Sequence, residues 1–255
     1  MLVICNGAAK SGSTWLYNIV AHIKAFQWPE QAYISQSNTK HPTIKEKYLK
    51  DFLQNENVAN ADYISKNHYG KEFHRTALLA SENTRVIDMS RDTRDVIVSS
   101  YYDNCRRNGY KGTFEDYYWQ EGRLLVDYMK HYHDVWDAEH PQIFLTSFEI
   151  LKTDFSNEVK KIAKFLTVSL SDEDVEKIFE QTNIDSLRNN YKDDKQYSTE
   201  KNPFFRKGVI GDWRNHFSDK MIADYEQINQ NGIGKYDHIY LRNRLKEKIK
   251  GLFTG

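Results

Sequence analysis

Apolar residues gather first into a run of four, Leu2 to Cys5, and then recur at helical spacing as Trp15, Leu16, Ile19, Val20 and Ile23. The run is long enough for a buried strand, and the period after it predicts an amphipathic helix from about Ser13 to Ala25. Between them lies the glycine-bearing turn Asn6-Gly7-Ala8-Ala9-Lys10-Ser11-Gly12. The helix stops before Trp28-Pro29, and the polar stretch Gln31 to Pro42 reads as loop. Thr43 to Asn55 carries Ile44, Tyr48, Phe52 and Leu53 on one side and predicts a second helix. Short apolar runs at Asp62–Ser65, Arg85–Met89 and, after Pro141, Gln142–Thr146 predict three further strands.

The rest of the pattern is helical. A helix follows Ser90-Arg91-Asp92-Thr93-Arg94-Asp95 with Val96, Ile97 and Val98, and the longest helical region spans Thr113 to Ala138. One helix follows Asp154; another opens at Ser171, where Asp174 completes an S-x-x-D capping signal. Helices are also expected over Ser218–Gln230 and Tyr240–Leu252, while the polar Asn189–Lys201 is expected to be mobile. Strands alternating with helices predict an α/β fold. The expectation is one domain over residues 1–255, with a central, mainly parallel sheet of about four or five strands and helices on both faces.

Composition narrows the partners. Lys and Arg total 36 and so do Asp and Glu, so no global field favours nucleic acid. The two cysteines, Cys5 and Cys105, argue against a disulfide framework and for a reducing, cytoplasmic setting. No stretch has the length of a membrane span, and a core strand starting at Leu2 leaves no room for a targeting segment. The many aromatic residues suit an aromatic-walled pocket.

Candidate chemistry starts at the first turn. Free N–H groups at a helix start, Lys10 and the hydroxyls of Ser11, Ser13 and Thr14 converge into a good anion site. Gly7 and Gly12 have the spacing of a triphosphate loop, but Ser13 stands where that loop has its lysine. The turn therefore reads as a phosphate site without an obligatory metal. Lys66-Asn67-His68 lies at a strand's carboxyl end, where open α/β sheets place ligands. Arg91 ends the next strand and Ser99 lies eight residues on, so both can face one groove. Asp92, Arg94 and Asp95 are accounted for as a salt-bridged helix start. Arg206-Lys207-Gly208 could be a second phosphate clamp, although a basic run is more often solvated surface.

Together these residues resemble the cytosolic-type sulfotransferases, P-loop-like enzymes that use 3′-phosphoadenosine 5′-phosphosulfate (PAPS). The family's PKSGTTW loop is matched by Ala9-Lys10-Ser11-Gly12-Ser13-Thr14-Trp15, and its strand-ending K-x-H by Lys66-Asn67-His68. Its RDPRDVxVSxYY block is matched from Arg91 to Tyr102, and its RKGxxGDWKNxF block from Arg206 to Phe217. The resemblance implies that Lys10, Ser11, Gly12, Ser13 and Thr14 hold the 5′-phosphosulfate and that Trp15 stacks on adenine. It implies a 3′-phosphate site of Arg91, Ser99, Arg206, Lys207 and Gly208, and an adenine contact at Thr182. His68 would be the general base, Lys66 a charge-stabilising partner and Lys10 the group that meets the leaving phosphate. The product would be adenosine 3′,5′-bisphosphate (PAP), and no metal is required.

Several positions depart from the family. Ala9 replaces a proline, Ser13 a threonine, Phe148 an adenine-contacting tyrosine and Ile184 an aromatic over the base. The segment after Phe217 lacks the dimer motif of animal members, so a monomer or a different dimer is expected. The acceptor is expected to be a small hydroxyl compound. Its pocket would be lined by the stretch after Trp28, the Tyr69 loop, Tyr101, Tyr102 and Tyr117, and Asn189–Asn202. Asp103, Asp116 and Asp193-Asp194 leave room for a cationic acceptor, and an amine or carbohydrate acceptor stays open. A P-loop small-molecule kinase and a non-catalytic nucleotide-binding protein are the alternatives.

Overall fold

The computed structural model describes residues 1–35, 40–55, 60–137, 139–194, 197 and 204–233. Its strands are β1 (Leu2–Asn6), β2 (Tyr63–Lys66), β3 (Thr84–Ser90) and β4 (Ile143–Ser147). The first helices are α1 (Ser13–Ile23), α2 (Leu49–Leu53), α3 (Glu72–Leu79), α4 (Thr93–Asn108), α5 (Phe114–Tyr117) and α6 (Arg123–Trp136). After β4 come α7 (Phe148–Thr153), α8 (Phe155–Phe165), α9 (Asp172–Thr182), α10 (Ile184–Tyr191) and α11 (Asp219–Asn231).

The sheet has the order β2-β1-β3-β4 with every neighbouring pair parallel, as the strand–helix alternation predicts. β1 is buried along its whole length, so its continuous apolar run serves two cores. Val3 and Cys5 face one way, joining Leu16, Ile19 and Val20 of α1, Val159 and Ile162 of α8, and Val175 and Ile178 of α9. Leu2 and Ile4 face the other way, toward Phe52 of α2, Leu78 of α3, and Met129, Tyr132 and Trp136 of α6. The two-residue period of a strand sends alternate side chains to opposite faces, and each buried aliphatic chain adds about 1.5–3 kcal/mol. A third cluster joins Ile97 and Val98 of α4 to Phe114, Trp213, Phe217 and Met221. The chain leaves β1 for β2 on one side and reaches β3 on the other. The carboxyl ends of β1 and β3 therefore flank the crevice where such sheets bind ligands.

Three elements differ from expectation. Thr43–Lys45 is extended rather than helical, because Ile44 bridges to Ile34 and its N–H donates to Ser65 Oγ at 3.0 Å. A 3₁₀ turn at Glu46–Tyr48 then leads into α2. α3 was not expected: Leu78 is its one fully enclosed apolar residue, so its apolar period is faint. The long helix after Thr113 breaks at a π-helical turn, Tyr118–Gly122. A Cβ at Gly122 would lie 3.1 Å from Ile97 Cγ2, so the glycine lets this turn approach α4. In the segment expected to be mobile, α10 continues to Tyr191, whose ring meets that of Tyr197 at 4.9 Å between centroids. Residues 195–196 and 198–201 of that segment, and the helix expected over Tyr240–Leu252, lie outside the described residues. Among the described residues no helix is long and apolar enough to cross a membrane.

Candidate active site

The turn after β1 is folded tightly against β3. Gly7 has φ +154°, and a Cβ there would sit 2.8 Å from the Met89 carbonyl oxygen and 2.6 Å from Ser11 Oγ. Ser11 is fully buried, and both its N–H and its hydroxyl donate to the Ala8 carbonyl, at 3.1 and 2.8 Å. The N–H groups of Trp15 and Leu16 converge on the Gly12 carbonyl. α1 has no side-chain cap and no acidic residue in its first turn. The N–H groups of Gly12, Ser13 and Thr14 therefore stand at the positive end of an uncapped helix, beyond the reach of intrahelical acceptors.

That helix end opens into a cavity of about 520 Å³. Lys10, Lys66 and His68 stand together on its wall. His68 Nδ1 lies 2.6 Å from the Gly7 carbonyl oxygen and its Nε2 lies 3.0 Å from Lys66 Nζ. A carbonyl only accepts, so Nδ1 carries the proton and Nε2 keeps its lone pair. By surface area His68 is exposed, opening into the cavity, while protein atoms crowd round it closely enough to disfavour a charged ring. Burial first, then the Lys66 charge, holds its pKa below the ordinary imidazole value, so the ring is neutral at pH 7. Burial also lowers both lysines to about 8; Asp103 pulls Lys10 back up, whereas Lys10 pushes Lys66 further down. Lys10 Nζ sits 3.5 Å from Asp103 Oδ1 and 3.9 Å above the Phe204 ring.

Arg91, at the end of β3, is braced rather than satisfied. Its guanidinium lies 4.2 Å over the Phe148 ring and Nη2 donates to the Val209 carbonyl at 3.2 Å. Its Nε is buried with no partner among the described residues. Phe148 also meets Trp15 edge-on at 5.4 Å, so it supports two cavity residues at once. Arg206 Nη2 and Lys207 Nζ grip the buried Asp212 carboxylate at 2.5 and 2.8 Å, and Arg206 lies 4.1 Å over Tyr102. Asp95 fixes this turn to α4, accepting from the N–H groups of Gly211 and Trp213 at 2.7 and 2.9 Å. Gly208 has φ +61°, and a Cβ there would come within 2.7 Å of Ile184 Cδ1. Thr182 is fully buried; its hydroxyl donates to the Ile178 carbonyl at 2.7 Å, which leaves its lone pairs as acceptors.

Lys10, Gly12, Ser13, Thr14, Trp15, Lys66, His68, Arg91, Ser99, Thr182, Arg206, Lys207 and Gly208 all line this one cavity. Ser11 alone of the expected site residues does not; its hydroxyl braces the turn from beneath. Tyr69, Tyr101, Tyr102 and Tyr117 are likewise absent from the lining. Tyr69 is buried with its hydroxyl on the Ile44 carbonyl, and the other three pack in the cluster behind α4. Asp116 caps α5 through Thr113 instead of facing the cavity. Sequence reasoning missed Arg107 as a wall residue and missed Asp103 as a hub of ion pairs. The available signal was spacing: Asp95, Ser99, Asp103 and Arg107 recur every four residues and so share one face of α4. Asp95 and Asp212 were missed as the supports of the second basic turn.

Three comparisons bear on this geometry. The family model described as "Sulfotransferase domain" matches residues 2–251. Human sulfotransferase 1E1 is 28% identical over 236 residues, covering 86% of this chain and 80% of its own. Human sulfotransferase 2A1 is 29% identical over 161 residues, 59% of this chain and 56% of its own. Among solved structures, mouse sulfotransferase SULT7A1 complexed with PAP superposes with a TM-score of 0.69 at 20% identity, covering 98% of this chain and 88% of that one. Retinol dehydratase in complex with androsterone and the inactive cofactor PAP gives 0.67 at 20% identity, over 92% and 81% of the two chains.

Proposed function

The chain belongs to the sulfotransferase family and is a PAPS-dependent sulfotransferase; on that premise we propose that it sulfates a hydroxyl of a small molecule, with His68 as the base. The observation that carries the proposal is the His68 tautomer. Its Nδ1–H is spent on the Gly7 carbonyl of the phosphate turn, so the basic Nε2 faces the cavity beside both lysines. The residues present suit the donor: an uncapped helix start for the phosphosulfate, and a braced arginine with an orphaned Nε for a further phosphate. Androsterone in the retinol dehydratase complex supports a small acceptor of this kind.

PAPS supplies the sulfuryl group, whose bond to the bridging phosphate oxygen breaks as the bond to the acceptor oxygen forms. His68 Nε2 takes the acceptor proton as that oxygen becomes acidic, and Gly7 holds the resulting imidazolium at Nδ1. Lys66, which donates to Nε2 at 3.0 Å and whose charge keeps the imidazole neutral before the step, turns from Nε2 to the transferring oxygens and frees that lone pair for the proton. Lys10 turns from Asp103 to the leaving phosphate, joined by the N–H groups of Gly12, Ser13 and Thr14. Trp15, Thr182 and Ile184 hold the adenine, with the Thr182 oxygen accepting from its amino group. Arg91, Ser99 and the Arg206–Gly208 turn take the 3′-phosphate.

His68→Ala should lower the rate of sulfuryl transfer from PAPS about 100-fold or more while PAP affinity, read by calorimetry, stays within twofold. Mass spectrometry of products over a panel of phenols and alcohols measures the rate. Near-normal transfer in the variant would remove His68 from the mechanism.

A further inference from the structure

We propose that the acceptor carries an anionic group, such as a carboxylate, which Arg107 receives at the acceptor end of the cavity; this rests on the sulfotransferase reading above. Arg107 lies two turns of α4 beyond Ser99, about 12 Å further along the helix. It lines the same cavity as His68 and Lys66. Its charge depresses the pKa of both, which sets it near the transfer point. The side chain is 52% exposed, and its Nε pairs with Asp103 Oδ2 at 3.2 Å. The terminal guanidinium nitrogens make no ion pair or hydrogen bond among the described residues.

Asp103 cannot neutralise this end. Its carboxylate already meets Lys10 at 3.5 Å and the buried Arg106 at 2.6 Å. Three cations thus share one carboxylate, and Asp103 is the only acidic residue among the described residues of the cavity lining. A cationic acceptor would find no free carboxylate here. A wholly apolar acceptor would strip water from Arg107 and return no hydrogen bond. The donor does not use this charge, since its phosphates and sulfuryl group are met by Lys10, Lys66, Arg91, Arg206 and Lys207. Phe204 and Tyr197 line the cavity as well, so an aromatic ring bearing both a hydroxyl and an anion suits the space.

Three phenols of matched size test this: 4-hydroxyphenylacetate, 4-methylphenol and tyramine. Their binding to the full chain loaded with PAP is measured by calorimetry, and their sulfation by PAPS is measured alongside. The anion should bind about tenfold tighter than 4-methylphenol, with tyramine weakest, and added salt should shrink the difference. Arg107→Gln should bring the three within about twofold, while Arg107→Lys keeps most of the preference. Binding of 4-methylphenol or tyramine as tightly as the anion in the unmodified protein would overturn the proposal. So would a preference that survives in Arg107→Gln. Failure of PAPS to sulfate any of the three would count against the hydroxyl-transfer reading and leave the charge order in binding to decide the anion subsite separately.

Discussion

Arg91 shows how a single side chain can be readied for a ligand. Its ring stacking on Phe148 and its bond to Val209 fix the guanidinium, while the buried Nε keeps a donor unspent. A buried donor without an acceptor costs free energy, and the phosphate proposed to bind here would recover it. Arg91→Ala should weaken PAP binding by about 2–3 kcal/mol. Adenosine 5′-phosphate, which lacks the 3′-phosphate, should lose far less in the same calorimetric comparison. Equal losses for the two nucleotides would show that Arg91 does not read the 3′-phosphate. Phe148 gains a role here as well: where the family has a tyrosine, this ring carries Arg91 on its face and Trp15 on its edge.

At the scale of elements, the turn from β1 to α1 and the face of α4 build the site together. The turn depends on Gly7, whose φ of +154° is strained for any side chain and whose missing Cβ leaves room for the Met89 carbonyl. Gly7→Ala should cost roughly 2–4 kcal/mol of stability, from backbone strain plus the steric clash. It should also weaken PAP binding, because the helix start would move off its anion. Urea denaturation and calorimetry read the two effects, and a variant unchanged in both would show that the turn tolerates another path. α4 works by repetition instead. Its four-residue ladder puts Asp95 on the basic turn and Ser99, Asp103 and Arg107 on the cavity wall, the last three in the donor and acceptor roles proposed above.

Across the whole molecule, a buried polar network ties the His68–Tyr69 loop to the sheet. Asn6 Nδ2 donates to Asp88 Oδ1 at 2.8 Å and Asn6 Oδ1 accepts from the Tyr69 N–H at 2.9 Å. Tyr132 of α6 donates to Asp88 at 2.5 Å, and Trp136 Nε1 donates to the Tyr69 carbonyl at 2.6 Å. Tyr69 follows His68, so β1, β3 and α6 jointly hold the proposed base in place. Burial outweighs the hydrogen bonds from Tyr132 and Asn6 and raises the Asp88 pKa from 3.8 to about 6. The folded state therefore holds this proton more tightly than the unfolded chain does. The associated stability is complete below about pH 4 and is lost as pH rises through 6, up to about 3 kcal/mol. Relative to Asp88→Asn, the unmodified protein should lose stability between pH 4 and 7 in urea titrations. A difference that is flat with pH would refute the shift.

What the sequence determined by itself was whatever short-range pattern encodes. The run Leu2–Cys5, the turn through Gly12 and the period of α1 specify a strand, a tight turn and a helix from adjacent residues alone. The same holds for Lys66 and His68 at the end of β2, and for Arg91 at the end of β3. Local order in the chain also conveyed the parallel sheet, because each strand is followed by its own helix. Tertiary structure alone decided where side chains without a local constraint would turn. Ser11 turned inward because the Ala8 carbonyl was the acceptor within reach, and Tyr101, Tyr102 and Tyr117 went to the core because α5 and the Trp213 turn cover that side of α4. Only the approach of Lys10 from the β1 turn made Asp103 a shared carboxylate, and only the cavity wall gave Arg107 an open face. Partners far apart in the chain set these outcomes, and their meeting is a property of the packed fold that no short window of sequence contains.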